Sequence, residues 1–409
     1  MGPQTEQLSD HGAALRWSDG LRAALLGWLA ARVAVGIGFL LAHGLSGSVA
    51  LPDGRLHLDQ GLMTWDGTFY RVITRGWYSG SEVPTDAVRF FPGYPAIGRV
   101  FETLFLGHTD LALLFVANVA AIGAAVLVWR LAAEGTGEPA VGIRAAWMVS
   151  IIPAANVMVF AYSESLMLLI ATAVLWALLR GRPGWAALGG LAAGLLRPAG
   201  ILLALPAAVE AFQWYRARND LHQLAHDRSA EQAATGQATT EHGTTNHTAT
   251  ALRWGAAVGA PAAGLAIALW VVSRRTGDVF EAYRIQRQLR DGFRDPLSRL
   301  AQAGIDFAGG HLHDVYNVVF ALGFAALFVI AWRHSQRLSW LAFMAVTWIV
   351  AVGGNNMDSV GRYCMVAAPF TIALAQWADT RARRVGVAAI ALSGTVWFTS
   401  EVLLGRIIP

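Results

Sequence analysis

The sequence predicts an all-α polytopic membrane protein, and two observations carry that prediction. Of its 409 residues, 55% are hydrophobic and only 14% charged, with a mean hydropathy of +0.45, whereas a soluble chain carries about 25% charged residues. Apolar runs of roughly 17–22 residues recur along the whole chain, the length that crosses a bilayer core of about 30 Å. The single cysteine, Cys364, excludes a disulfide framework and a thiolate metal site. There is no P-loop, dinucleotide fingerprint or HExxH, which argues against nucleotide hydrolysis and zinc proteolysis. Every basic residue is arginine, and with abundant Ala and Gly this points to a GC-rich coding genome of bacterial type.

Taken in order, residues 1–22 are polar and read as a cytoplasmic N-terminus. The first apolar run lacks a small-residue cleavage site after it, so an uncleaved first span is expected. About nine full spans are expected, near 23–43, 110–131, 144–161, 165–180, 254–273, 314–332, 338–353, 362–378 and 385–405. The apolar stretch 184–213 is too long for one untilted helix and too short for two crossings. Pro198 and Gly200 interrupt it, so two short helices meeting near Arg197 are expected.

Short arginine-rich loops are LLRGRPG, ARNDLHQ with Arg216, AWRHSQR and DTRARR. They share one side only if 184–213 enters the membrane and returns, and the positive-inside rule makes that side cytoplasmic. Residues 44–108, the Tyr162–Glu164 turn, 274–313 and 354–361 then share the outer face. The chain accordingly divides into an N-terminal membrane core, 23–213, with an outer loop at 44–108, and a C-terminal membrane region, 254–409. Between them, 214–253 is a cytoplasmic low-complexity linker whose Thr/Gln/His-rich part (217–250) is expected to be disordered.

The outer loop contains TWDGTFYRVITRGWY (64–78). As a helix, it places Trp65, Phe69, Val72, Ile73 and Trp77 on one side and Asp66, Tyr70 and Thr74 on another. An aromatic face opposite a polar one suits the membrane–water boundary, with Asp66 turned to the water. Three more ionisable groups interrupt apolar stretches, where charge is costly. Glu164, after Ser163, reads equally as an early-turn acid behind an N-cap and as a functional acid. Arg197 reads as a structural partner for an acid such as Glu164 or as an anion site, guanidinium being suited to phosphate. Arg362 snorkels from a span entrance or binds a ligand, and Tyr363 beside it is an interface anchor or a ligand contact. In GGHLHDVYN, His311 and His313 stand at i and i+2 and share no helical face, so no metal site is expected there. The small-residue run Gly189–Gly194 reads as helix packing.

The motifs WDGTFYRVITRGW, RFFPGYPAIGRV (89–100), AYSESLMLL (161–169), GWAALGGLAAGLLRPAGILLALP (184–206) and GRYCMVAAPF (361–370) occur in this order over about 65–370. Together they resemble the GPI mannosyltransferase 2 (PIG-V) family and its bacterial relatives, of the GT-C superfamily. The resemblance implies a GT-C-like fold, a polyprenyl- or dolichyl-phosphate-mannose donor and inverting transfer. It also implies that Asp66, at the WD position, is the base. Arg197 matches the family's arginine, although Pro198 after it departs from the pattern, and Arg362 and Tyr363 match its RY pair.

The expected activity is therefore mannose transfer on the outer face of a bacterial plasma membrane. Asp66 is catalytic, and Arg197, Arg362, Tyr363, Glu164 and Ser163 hold the donor phosphate and sugar. Trp65, Tyr70 and Arg89 lie at the acceptor or the interface. The expected partners are the lipid-linked donor, a glycolipid or cell-surface glycan acceptor and membrane lipids, with no nucleic acid, cofactor or metal. The alternatives are the same fold using lipid-linked glucose or arabinose, and a lipid-linked-sugar transporter, whose broken helices also carry buried charge.

Overall fold

The apolar runs fold as helices, and prolines decide where several of them stop. The computed structural model describes residues 16–234, 247–290, 292–309, 315–354 and 357–409. His311 and His313, considered above for metal binding, lie outside the described residues, as do most of the 1–22 segment and residues 235–246. The chain begins with α1 (Trp17–Leu45), α2 (Leu56–Gln60), α3 (Asp66–Gly76), α4 (Gly93–Leu104), α5 (Thr109–Thr136) and α6 (Pro139–Ile151). It continues with α7 (Glu164–Leu179), α8 (Pro183–Leu196), α9 (Ala204–Ala234), α10 (His247–Thr276), α11 (Glu281–Arg290) and α12 (Pro296–Ala308). The remainder is α13 (Val315–Arg333), α14 (Leu338–Val352), α15 (Val360–Met365), α16 (Ala368–Trp377) and α17 (Arg381–Leu403). The protein is all-α and polytopic.

The nine expected full spans resolve differently. Among the described residues, five helices are long and apolar enough to cross a membrane: α1, α5, α10 from Thr248, α13 and α17. The runs read at 165–180 and 338–353 are the shorter apolar helices α7 and α14. The run at 144–161 stops at Ile151, because Pro153 forces Ile152 out of the helical region (ψ 135°) and a 3₁₀ turn follows. The run at 362–378 divides into α15 and α16, with Pro369 in the first turn of α16. Helices of 13–16 residues, as in α6, α7, α8 and α14, rise only about 20–24 Å. They fall short of the roughly 30 Å hydrocarbon core. With the arginine-rich loops that adjoin α7, α8 and α14 in the cytoplasm, as expected from the sequence, the other ends of these three helices stop inside the opposite leaflet.

The break at Arg197 is as the sequence predicts. Arg197 is extended (φ −154°, ψ 149°) before Pro198, and residues 198–203 turn back so tightly on α8 that a Cβ on Gly200 would lie 2.2 Å from the Ala193 carbonyl. The Gly189–Gly194 run packs as expected: a Cβ on Gly194 would meet the Pro261 carbonyl of α10 at 2.2 Å. Residues 217–234, expected to be disordered, instead continue α9. Ala, Gln, Leu and Arg there are good helix formers once a helix is already nucleated upstream.

Candidate active site

Four side chains from distant parts of the chain meet where α3, α7, α8 and α15 begin or end. Arg362 Nη1 donates to Asp66 Oδ2 at 2.6 Å. Its Nε lies 3.3 Å from Glu164 Oε1, but off the line a hydrogen bond requires. Glu164 Oε1 also accepts from Arg197 Nη1. Side-chain exposures are 1% for Glu164, 8% for Arg362, 11% for Arg197 and 20% for Asp66. The four ionisable residues singled out in the sequence thus form one cluster of two acids and two guanidiniums.

Helix geometry explains why this sequence tolerates the burial. Asp66 and Glu164 are the first residues of α3 and α7 and Arg197 follows the last residue of α8, so each charge sits at the helix end whose partial charge opposes it. The formal charges cancel within the cluster. The two cations also lie over aromatic faces: Arg362 is 5.7 Å from the Tyr162 ring and 5.4 Å from that of Tyr363, and Arg197 is 5.6 Å from Tyr363.

The cap reading of Ser163 needs correction. Ser163 occupies the N-cap position of α7 but makes no side-chain cap bond. Its Oγ instead accepts from Arg197 Nη1 at 3.0 Å and lies 2.8 Å from Tyr70 Oη. Burial holds the Tyr70 phenol well above its ordinary range, so Tyr70 stays protonated and able to donate to Ser163.

The orientation of α3 also differs from the expectation. Gly67, Tyr70, Ile73 and Thr74 are its buried residues, whereas Trp65, Phe69 and Val72 are only half-buried. The polar side therefore faces protein, because the buried guanidiniums supply partners that water would otherwise provide. Tyr70 itself is 3% exposed, with its hydroxyl against Ser163. Arg89 stacks over Phe69 and Phe90 at 4.9 and 4.8 Å and pairs with Asp86 at 3.6 Å.

Several ties fix α3 in place. Arg71 grips Asp110 through two bonds of 2.6 and 2.7 Å, and Arg75 donates to Thr109 at 2.9 Å. The Asp66 amide donates to Tyr162 Oη at 3.3 Å, and the Ala161 amide to the Leu62 carbonyl at 3.0 Å. From the end of α10, Arg275 donates to the carbonyls of Tyr78 and Val83, holding the rest of the outer loop. Sequence reasoning misses Tyr162 as a site residue, although it stands inside the AYSESLMLL motif.

The cluster leaves hydrogen-bonding capacity unspent. Among the described residues, Glu164 Oε2 and Arg362 Nε are buried without a hydrogen-bond partner. Asp66 Oδ2 takes the bond from Arg362, and Asp66 is the most exposed of the four side chains. Such an arrangement can hold an anion against two guanidiniums while a carboxylate oxygen accepts a proton.

No protein family and no curated protein matches the chain. Among solved structures, it is similar to the Archaeoglobus fulgidus oligosaccharyltransferase. The complex with zinc and sulfate has a TM-score of 0.44 at 16% identity, covering 92% of this chain and 52% of that one. The complex of the same enzyme, AglB, with an inhibitory peptide and a dolichol-phosphate gives 0.43 at 15%, covering 92% and 55%. The apo form gives 0.46 at 13%, covering 92% and 56%. This chain spans about half the length of those proteins, and likeness at this level does not extend to chemistry.

Proposed function

We propose that the chain is an integral-membrane glycosyltransferase that moves mannose from polyprenyl-phosphate-mannose to a hydroxyl of a glycolipid or cell-surface glycan on the outer face. The observation that carries this reading is the shared Arg362: one guanidinium joins Asp66 to the buried Glu164–Arg197 pair. In the proposed step, Asp66 takes the proton of the acceptor hydroxyl as its oxygen attacks the anomeric carbon. The bond from that carbon to the phosphate oxygen breaks, and the phosphate leaves with the electron pair. Arg197 and Arg362 stabilise the charge that develops on it. One base suffices for direct displacement with inversion. The short helices favour a site at the depth of lipid phosphates, and the motif resemblance points to the same donor.

The test is to incubate purified protein with polyprenyl-phosphate-mannose and candidate acceptors and to weigh the products. A hexose added from the mannose donor is expected. No transfer from any lipid-phosphate sugar by folded protein would sink the proposal, while transfer from the glucose or arabinose donor alone would replace only the sugar. Because two guanidiniums supply the cationic charge, transfer is expected to survive EDTA. An activity lost to chelation and restored by a divalent ion would contradict that.

The side of the membrane is testable separately. Cys364 is buried, so cysteines placed at the exposed positions Ser79 and His334 report without much background. Ser79→Cys is expected to react with an impermeant thiol reagent in intact cells, and His334→Cys only after permeabilisation. The reverse pattern would put the site on the cytoplasmic face.

A further inference from the structure

Asp66 and Arg362 are each preceded by a residue held in backbone that favours glycine. Trp65 (φ 54°, ψ −119°) stands directly before Asp66, and Ser359 (φ 66°, ψ 23°) three residues before Arg362. Residues other than glycine persist in such conformations when their surroundings over-determine them. Here both are tied to one segment, residues 402–409, which lies at the end of α17 and beyond. The Trp65 indole N–H donates to the Val402 carbonyl at 3.1 Å, and Ser359 Oγ donates to the main-chain oxygen of Pro409 at 2.5 Å.

The stretch between these two ties is packed in. Leu404 is 1% exposed and Ile407 6%. Gly405 (φ 72°) passes so close to His57 that a Cβ would lie 2.8 Å from its ring. His57 in turn stacks on Trp65 at 4.0 Å with 8° between the rings. It is held by Thr64 at 2.8 Å and Asp53 at 3.1 Å. A continuous chain of contacts therefore runs from the cap of Asp66, through residues 402–409, to the cap of Arg362.

We infer that residues 402–409 are a bridge that sets Asp66 relative to Arg362, making Trp65 and Ser359 positioning residues for the transfer step. This inference rests on the glycosyl-transfer reading of the site. Neither residue supplies chemistry. Each fixes the approach angle of a group that does, and a misplacement of about 1 Å can cost up to about 10²-fold in rate.

Two variants separate the bridge from general structural support. Trp65→Phe keeps an aromatic ring on His57 but has no N–H for Val402, and Ser359→Ala removes only the hydroxyl. Each is expected to lower kcat by about 5–20-fold with the donor KM within about twofold. Because one bridge serves both ties, the double variant should be no slower than the slower single variant. Losses that multiply would overturn the bridge. Hydrogen–deuterium exchange gives a readout independent of activity. Trp65→Phe should raise exchange in residues 357–365, far away in sequence, and unchanged exchange there would also overturn the inference. If wild-type protein transfers no sugar at all, the transfer reading fails, while the exchange result still decides whether the bridge exists.

Discussion

Arg362→Ala is expected to lose both stability and sugar transfer. Arg362 is the cation common to Asp66 and Glu164, and it is almost wholly buried. Its removal leaves two carboxylates to the single guanidinium of Arg197, which bonds Glu164, and strips Asp66 of its partner. Stripping one partner from a buried ion pair costs about 3–5 kcal/mol, because the remaining charge is uncompensated. Losing a cation that stabilises the departing phosphate costs a further ~2.7–4 kcal/mol in the transition state, roughly 10²–10³-fold in rate. Arg362→Lys restores the charge, but an ammonium cannot reproduce the guanidinium's reach to Asp66 and Glu164 at once, so only partial recovery is expected. Thermal unfolding in detergent and transfer rate check the two effects separately. A stable Arg362→Ala protein with wild-type turnover would remove Arg362 from both roles.

Glu164→Ala is the second large effect, and it acts on stability first. Glu164 is the only acid that joins Arg197 to the cluster among the described contacts, and its loss leaves two buried guanidiniums facing one another. A cost of about 3–5 kcal/mol is expected. Arg197→Ala should cost a similar amount by stranding Glu164, so a loss of activity in that variant has to be read together with its stability. The double variant Glu164→Gln/Arg197→Gln is expected to be more stable than either single glutamine variant, since it strands neither charge. Denaturation of all four proteins measures this. Strictly additive losses would mean that the two side chains do not stabilise each other.

How far the sequence carries depends on which physical signal each feature leaves. The membrane character is written in composition and run length, and the break at Arg197 in Pro198 and Gly200. Glu164, Arg197 and Arg362 stand out singly because charge in or beside apolar stretches is costly, and Asp66 because it sits among aromatics on an amphipathic outer-loop segment. Their convergence is legible only in part: Arg197 reads as a partner for an acid such as Glu164, and the motif resemblance puts all four in one site. Nothing local couples position 66 to 164 or 362, so the shared role of Arg362 leaves no mark. Periodicity places Asp66, Tyr70 and Thr74 on one side of α3, but which side faces protein depends on partners supplied from elsewhere. Run length does not register breaks within a run: Pro153 and Pro369 divide two of the nine apolar runs without changing their hydropathy. The left-handed caps at Trp65 and Ser359 leave no mark in the sequence at all, as neither is the glycine, asparagine or aspartate that such backbone favours.

In the proposed mechanism Asp66 takes the acceptor proton while the arginines hold the donor, and single turnover of preloaded protein tests this division most directly. Asp66→Asn preserves size and can still meet Arg362 through its amide oxygen, but it cannot act as a base. Wild-type protein and Asp66→Asn are loaded with polyprenyl-phosphate-mannose, donor binding is measured, acceptor is added, and product formation is followed. Comparable donor binding is expected, with product formation slowed at least about 10²-fold in the asparagine variant, the lower range for loss of a general base. Product formation at the wild-type rate would contradict the assignment of the base to Asp66, and loss of donor binding would contradict the division of labour between the acid and the arginines.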